Sequence, residues 1–306
     1  MAVVITSPQF SFLQIDILQE TCSWITPPCL PMFTPSDLSF QMYVAVSGTD
    51  KDWFNIEFDA SGTLSEYTIQ ARICEDCDDA SDVDREFSWG ATWTKITEDT
   101  TDIWVGNFTF NGNETKWTAL DFNTCFNICF HKVLIAVSDP TVVVGLTTTP
   151  IECTDTCFTK IVDECYTSVI TYGNNDNAFD FNYENSWSNT IRLFMYLHSP
   201  LPVEEEKSYA KSNGSTKKLM HRIWTDYKVK TDYFTDDMHM QLTIATAHDT
   251  VSIYDVYSRI INKEFVRTEK FDIAWMEEQS PGINVAQATT TLRLAIPRAT
   301  INSNCE

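Results

Sequence analysis

Two pairs of cysteines and one acidic run are the first groups in this sequence with a chemistry of their own. Cys74-x-x-Cys77 and Cys125-x-x-x-Cys129 each offer two thiols at short spacing. Tetrahedral zinc takes four soft ligands, usually from tight loops. Glu75 and Asp76 keep the first pair polar and suited to such a loop. The second pair stands in Cys125-Phe126-Asn127-Ile128-Cys129, whose alternation reads as a strand with both cysteines on one buried face. The chain has ten cysteines: Cys22, Cys29, Cys74, Cys77, Cys125, Cys129, Cys153, Cys157, Cys165 and Cys305. In a reducing cytoplasm their expected state is the thiol, acting as a small buried hydrophobe, with some pairing after release into an oxidising medium. Their spacing does not give the connectivity. The sequence therefore assigns no metal ligand.

Seven acids lie between Glu75 and Glu86: Glu75, Asp76, Asp78, Asp79, Asp82, Asp84 and Glu86. Oxygen-rich loops can hold calcium, but this one lacks the glycine turn and the terminal bidentate glutamate of an EF-hand. It reads as a solvated loop. His248-Asp249 could form an oriented general base, yet no nucleophile accompanies it. The simpler reading is a histidine at a helix C-terminus, bonding the last carbonyls. His131, His198, His221 and His239 show no metal-ligand spacing either. A glycine-rich phosphate loop, a G-x-S-x-G elbow and an H-E-x-x-H pair are all missing. The expectation is a protein with no catalytic residue and no cofactor.

Binding is a different matter, because aromatic side chains are plentiful. Trp24, Trp53, Trp89, Trp93, Trp104 and Trp117 fall in the first half. Most should be core, while Trp89 and Trp93 are the best candidates for contact with a sugar or a protein partner. The formal charge is -22. Residues 1–150 carry 6 Lys and Arg against 21 Asp and Glu, and residues 151–306 carry 15 against 22. Such a field repels phosphate backbones and anionic bilayers, so neither nucleic acid nor membrane is expected as a partner. The start MAVVITSPQFSFLQ lacks the basic and apolar regions of a signal peptide, and no stretch nears the ~20 apolar residues of a membrane span. Synthesis and assembly in a cytoplasm are expected. The sequons at Asn107, Asn113 and Asn213 then carry little meaning.

The elements that must carry these groups are mostly strands. Leu38, Phe40, Met42, Val44 and Val46 alternate with smaller or polar residues, as do Phe54, Ile56 and Phe58, and then Tyr67, Ile69, Ala71 and Ile73. Period two places one face in a core and the other in water. Ser47-Gly48-Thr49-Asp50, Ser61-Gly62 and Asn111-Gly112-Asn113 supply the turns. This predicts a β-sandwich or jelly-roll-like domain over residues 1–150, with a boundary at Thr147-Thr148-Thr149-Pro150. Residues 151–306 read as a β-rich α+β assembly domain. Its one short helix, Thr235–Ala247, has Thr235 as N-cap and Met238, Leu242 and Ala245 on its apolar face. Strands are expected at Val251–Val256, Phe265–Arg267, Phe271–Trp275 and Thr290–Ile296. Ser212-Asn213-Gly214-Ser215 reads as a turn, and Pro200-Leu201-Pro202 with the three glutamates after it reads as a surface loop.

Several short runs resemble virion proteins of phages and prophages of Bacteroidetes, the crAss-like gut phages among them. They are Thr124-Cys125-Phe126-Asn127-Ile128, Cys165-Tyr166-Thr167-Ser168 with Tyr172, Phe179-Asp180-Phe181, Ile191-Arg192-Leu193, Tyr209-Ala210-Lys211-Ser212-Asn213-Gly214, Lys230-Thr231-Asp232-Tyr233, His239 with Leu242, and Ala247-His248-Asp249 before Val251-Ser252-Ile253. The resemblance covers roughly residues 120–260. It implies a structural subunit of a tail, neck or baseplate-like assembly in the virion, and it brings no catalytic residues. The implied partners are copies of the same chain in a ring and other tail, neck or portal proteins. Closed rings form through head-to-tail contacts. The loop Leu201–Gly214 and the helix Thr235–Ala247 are the expected contact surfaces, with Tyr209, Asn213, Asp232, Tyr233 and His239 as contact residues alongside Trp89 and Trp93. The alternative is a carbohydrate- or receptor-binding adhesin of the tail, with the first domain as the sugar module.

Overall fold

The computed structural model describes residues 3–5, 40–43, 53–60, 67–74, 86–87, 92–98, 101–109, 125–134, 148–153, 158–161, 167–174, 188–255, 257–276 and 285–302. Side chains are described for Phe158, Thr159 and Ile161 and for most of these residues from Thr167 to Thr300. The chain is mainly β, and its sheets are almost wholly antiparallel, with one short helix among the described residues.

Ten strands come first: β1 (Val3–Ile5), β2 (Phe40–Tyr43), β3 (Trp53–Ala60), β4 (Tyr67–Cys74), β5 (Glu86–Phe87), β6 (Thr92–Glu98), β7 (Thr101–Thr109), β8 (Cys125–Leu134), β9 (Thr148–Cys153) and β10 (Phe158–Ile161). They form two sheets, one in the order β1-β3-β7-β6 and one in the order β2-β10-β8-β4-β5, with β9 beside β8. The alternating runs at Phe54–Phe58 and Tyr67–Ile73 are the centres of β3 and β4. Register sets Phe54 opposite Phe108 and Phe58 opposite Trp104, so large apolar residues occupy matched positions on adjacent strands. Residue 150 lies inside β9, and the sheet partner changes further on, between Ile161 and Ser168. The acidic run from Glu75 to Arg85, Trp89 and the Asn111-Gly112 turn lie outside the described residues.

The remaining strands are β11 (Ser168–Gly173), β12 (Asn189–Leu193), β13 (Met195–Leu197), β14 (Leu201–Ala210), β15 (Thr216–Thr231), β16 (Thr250–Asp255), β17 (Ile260–Arg267), β18 (Asp272–Trp275), β19 (Ala286–Leu294) and β20 (Ala299–Asn302). The helix α1 (Asp236–Ala245) falls between β15 and β16. One sheet holds all ten in the order β12-β11-β16-β17-β19-β15-β13, with β14 and β20 added on β15 and β18 on β19.

The two ends of that order, β12 and β13, are separated in the chain by Phe194 alone. Laid flat, six inter-strand steps of about 4.8 Å would hold the ends roughly 29 Å apart. Two residues of chain span at most about 7 Å. The sheet must therefore roll up, with Asn189–Leu197 as a single strand that pairs with β11 through its first part and with β15 through its last. The product is a closed barrel of six strands with every neighbouring pair antiparallel, an arrangement that closes only with an even count. A second corner lies in β17, whose Ile260–Glu264 part pairs with β16 and whose Phe265–Arg267 part pairs with β19. Strands that change partner partway in this manner make the corners of such barrels.

Inward positions carry Ile170, Tyr172, Leu193, Val229, Ile253, Phe265 and Leu292, all 2% exposed or less. Each such side chain contributes about 1.5–3 kcal/mol on burial. The helix packs against β11 and buries Met238, Leu242 and Ala245, the three positions expected from spacing. Thr235 occupies the N-cap position with extended backbone, and its side chain makes no capping bond. Asp236 and Asp237 fill the first turn, where the helix dipole favours acids.

The surface loop expected after Pro200 is in fact strand β14, and the loop Leu201–Gly214 is a strand and a hairpin tip. Proline and three consecutive glutamates lower strand propensity, which is why the segment reads as a loop. Cross-strand partners reverse the balance. Glu206 meets Lys218 at 2.8 Å, Glu204 meets His221 at 3.4 Å, and Trp224 Nε1 donates to Glu205 at 3.3 Å. Pro202 is tolerated because β14 is an edge strand. The tip is the expected turn. Gly214 sits at φ +80, and Asn213 Oδ1 accepts bonds from the Ser215 amide and hydroxyl. No helix among the described residues is long and apolar enough to cross a membrane.

Candidate functional site

The partner change at Phe194 opens a groove on the surface of the barrel. Ser168, the first residue of β11, is the register partner of both Leu193 and Asp255. Beyond that point β11 no longer separates the seam strand from the end of β16. Met195–Leu197 and the turn after Asp255 continue past it, and an open groove of about 420 Å³ lies between them. Exposed Tyr196, Tyr257, Lys230 and Asp232 line it, with buried Thr231 and Asp255 below.

Asp255 is 2% exposed, and its carboxylate is held from two directions. Ser168 Oγ donates to Oδ2 at 2.5 Å and the Ser258 amide donates to Oδ1 at 2.6 Å. The Ser258 hydroxyl is committed in turn to Leu197 O at 2.9 Å. These hydroxyls brace the site and are not placed as nucleophiles. Thr231 Oγ1 donates to Asp232 O and accepts from the Ala288 amide, each at 2.8 Å. Asp232 Oδ1 accepts from the Tyr233 amide at 2.8 Å.

Above this braced floor stand aromatic rings. Tyr196 and Tyr257 are 43% and 59% exposed, their centroids 5.7 Å apart. The His198 ring meets Tyr196 edge-on at 4.6 Å. Tyr257 is presented by a turn with backbone strain: Arg259 lies at φ 57, and Asn262 just beyond lies at φ 45. Side chains other than glycine rarely adopt that region.

The residues singled out from sequence are spread over several places. Asp232 lines the groove and Tyr233 is its half-buried neighbour. Tyr209, 41% exposed, and Asn213 are at the far end of the β14–β15 hairpin. Trp93 is in β6 opposite Gly106, with its side chain outside what is described, as is all of Trp89. His239 is an interior residue, 3% exposed, and not a surface contact. Its ring lies between Phe234 and Trp275, and Nε2 donates to Ala286 O at 3.0 Å. His248 Nδ1 donates to Ile244 O at 2.7 Å, the helix-terminal role expected for it. Burial pushes both imidazoles below the usual histidine range, partly opposed by those carbonyl bonds and by Asp236 and Asp249 respectively.

Sequence reading missed Tyr196, Tyr257 and Lys230. The first had a signal. In Met195-Tyr196-Leu197-His198 the aliphatic residues alternate inward, which leaves two aromatic rings on the wet face.

Zinc chemistry is limited by strand geometry. Cys125 and Cys129 lie on one extended strand, roughly 13 Å apart, too far to serve one tetrahedral ion. Among the described residues no cluster of three or more His, Cys, Asp or Glu could hold a metal.

The fold and site define a mainly β protein with a C-terminal closed barrel and a braced aromatic groove at its seam. No protein-family model and no curated protein matches this chain. Among solved structures it aligns with a structural-genomics protein of unknown function from Bacteroides ovatus. The identity is 8%, over 100% of this chain and 97% of that one, with a TM-score of 0.17.

Proposed function

We propose that this chain is a non-enzymatic structural subunit of a bacteriophage virion, part of a tail, neck or baseplate-like assembly. It acts through contacts with copies of itself, in a ring, and with neighbouring tail, neck or portal proteins. The sequence resemblance over residues 120–260 supports the particle, and the β14–β15 hairpin supports the mode of action.

The hairpin is the observation that carries the reading. Among the described residues β20 pairs with β15 over Met220–Ile223, and the hairpin from Lys207 to Thr216 is exposed. Its outer strand presents backbone donors and acceptors on one edge, and Tyr209 projects near its tip. Docking on a neighbouring subunit satisfies that edge and covers that ring.

The test is a shortened arm. Residues 208–219 are replaced by Asn-Gly, which joins the register pair Lys207–Met220 through a two-residue turn. The barrel should keep its melting temperature while the variant fails to multimerise or to enter particles. A shortened chain that assembles as well as the original would reject the arm as an assembly element.

A second reading, a carbohydrate- or receptor-binding adhesin of the same particle, is favoured by the exposed Tyr196–Tyr257 pair.

A further inference from the structure

The groove at the barrel seam has chemistry that the assembly reading does not use. We infer that it is a binding site for an uncharged oligosaccharide, with Tyr196 and Tyr257 as the stacking platform and Lys230, Asp232 and Gln287 as the polar rim.

The rings come first. Two tyrosines this exposed, tilted by 52° at 5.7 Å, present apolar ring surface to water. The C–H face of a sugar ring is a flat apolar surface of matching size, and rings of this kind, apolar in body with a polar tip, suit half-wet ligands. At the rim beside them lie a cation, an anion and an amide, Lys230, Asp232 and Gln287, with the buried Asp255 carboxylate already engaged beneath. Neighbouring sugar hydroxyls donate and accept together, which such a mixed rim serves. An anionic ligand would meet Asp232 and the field of a chain with charge -22, and a cationic one would meet Lys230.

A peptide fits less well. Peptides commonly add a strand to an exposed sheet edge. Here part of the seam strand's edge is already engaged: Ser258 Oγ donates to Leu197 O, and the Ser168 hydroxyl packs 3.2 Å from Met195 O. The Asp255 carboxylate anchors the amide of Ser258, next in the chain to Tyr257, which lessens the backbone ordering left to oppose association. The groove volume is within the ~300–1,000 Å³ typical of small-molecule sites.

The experiment uses the full chain, with maltohexaose, xylohexaose and chitohexaose as neutral probes and hexagalacturonate as the anionic one. Saturation-transfer NMR should show transfer to the ring protons of at least one neutral probe. Its Kd should rise about tenfold or more, at least 1.4 kcal/mol, in Tyr257→Ala and in Tyr196→Ala. Tyr209→Ala, far out on the arm, should bind as the original does. Tyr257 is mostly exposed, so its variant should keep the original melting curve. Failure of all three neutral probes, undiminished binding by Tyr257→Ala, or preference for hexagalacturonate would overturn the proposal. Sugar binding by the isolated chain does not depend on particle assembly, so either result stands whatever the arm experiment gives.

Discussion

Ser168 Oγ donates to Asp255 Oδ2 at 2.5 Å, tying the first residue of β11 to the last residue of β16 at the point where the barrel seam changes partner. The same carboxylate takes the Ser258 amide, so one buried acid sets the end of two strands and the start of the Tyr257 turn. Asp255→Ala removes the acceptor of the buried Ser168 hydroxyl and of the half-buried Ser258 amide. An orphaned buried donor costs about 1–3 kcal/mol. Urea denaturation should show an unfolding free energy lower by that order, through a lower midpoint with little change in slope. An unchanged midpoint would mean that the brace contributes nothing to the fold.

Mild acid should weaken the barrel through its two buried histidines. His239 and His248 are held below the usual histidine range by burial, so they stay neutral in the folded chain while the unfolded chain protonates near pH 6.5. Between that pH and the lower folded values the unfolded state binds more protons. Stability is therefore complete above about pH 6.5 and falls as pH drops below it. Melting temperatures across this range should decline, and the decline should flatten in a His239→Gln, His248→Gln double variant. A profile equally steep in the double variant would assign the effect to other groups.

The helix offers a contrast within one turn. Met238 is fully buried against the barrel and Met240 is 49% exposed. Met238→Ala should cost about 2–5 kcal/mol through the cavity it leaves. Met240→Ala should change stability by less than about 0.5 kcal/mol. Chemical denaturation of the two variants measures both, and equal losses would mean the helix face is misassigned.

Among the described cysteines, oxidation should single out one pair. Cys129 and Cys153 are register partners on adjacent antiparallel strands, which sets their Cα atoms about 4.5–5.5 Å apart. Disulfides need about 4.4–6.8 Å. Peptide mapping after mild oxidation should recover a Cys129–Cys153 crosslink before any linking Cys125 to Cys129. The reverse order would mean that Cys125–Cys129 is not extended as a strand.

Much of the fold could be read from local pattern, because the alternation in β3 and β4, the helix stripe and the Ser212–Gly214 turn are short-range signals. Barrel closure could not, since it depends on β11 and β15 pairing with two parts of one strand far from both in sequence. β14 was hidden by its composition, and its stabilising partners lie across the hairpin. His239 follows Met238 in a helix whose buried face spans Met238, His239, Gln241, Leu242 and Ala245, wider than its apolar stripe. The groove was legible in part. Asp232 stands within a resembling run, whereas Tyr257 becomes a neighbour of Tyr196 only through the fold.

Quantitative mass spectrometry of purified virions, combined with cryo-microscopy of the same particles, decides whether this chain is an assembly subunit. The chain should be present at a fixed ratio to the other tail or neck proteins, with density for the barrel in a ring and the β14–β15 arm against its neighbour. Particles that are complete and infectious without the chain would remove it from the virion.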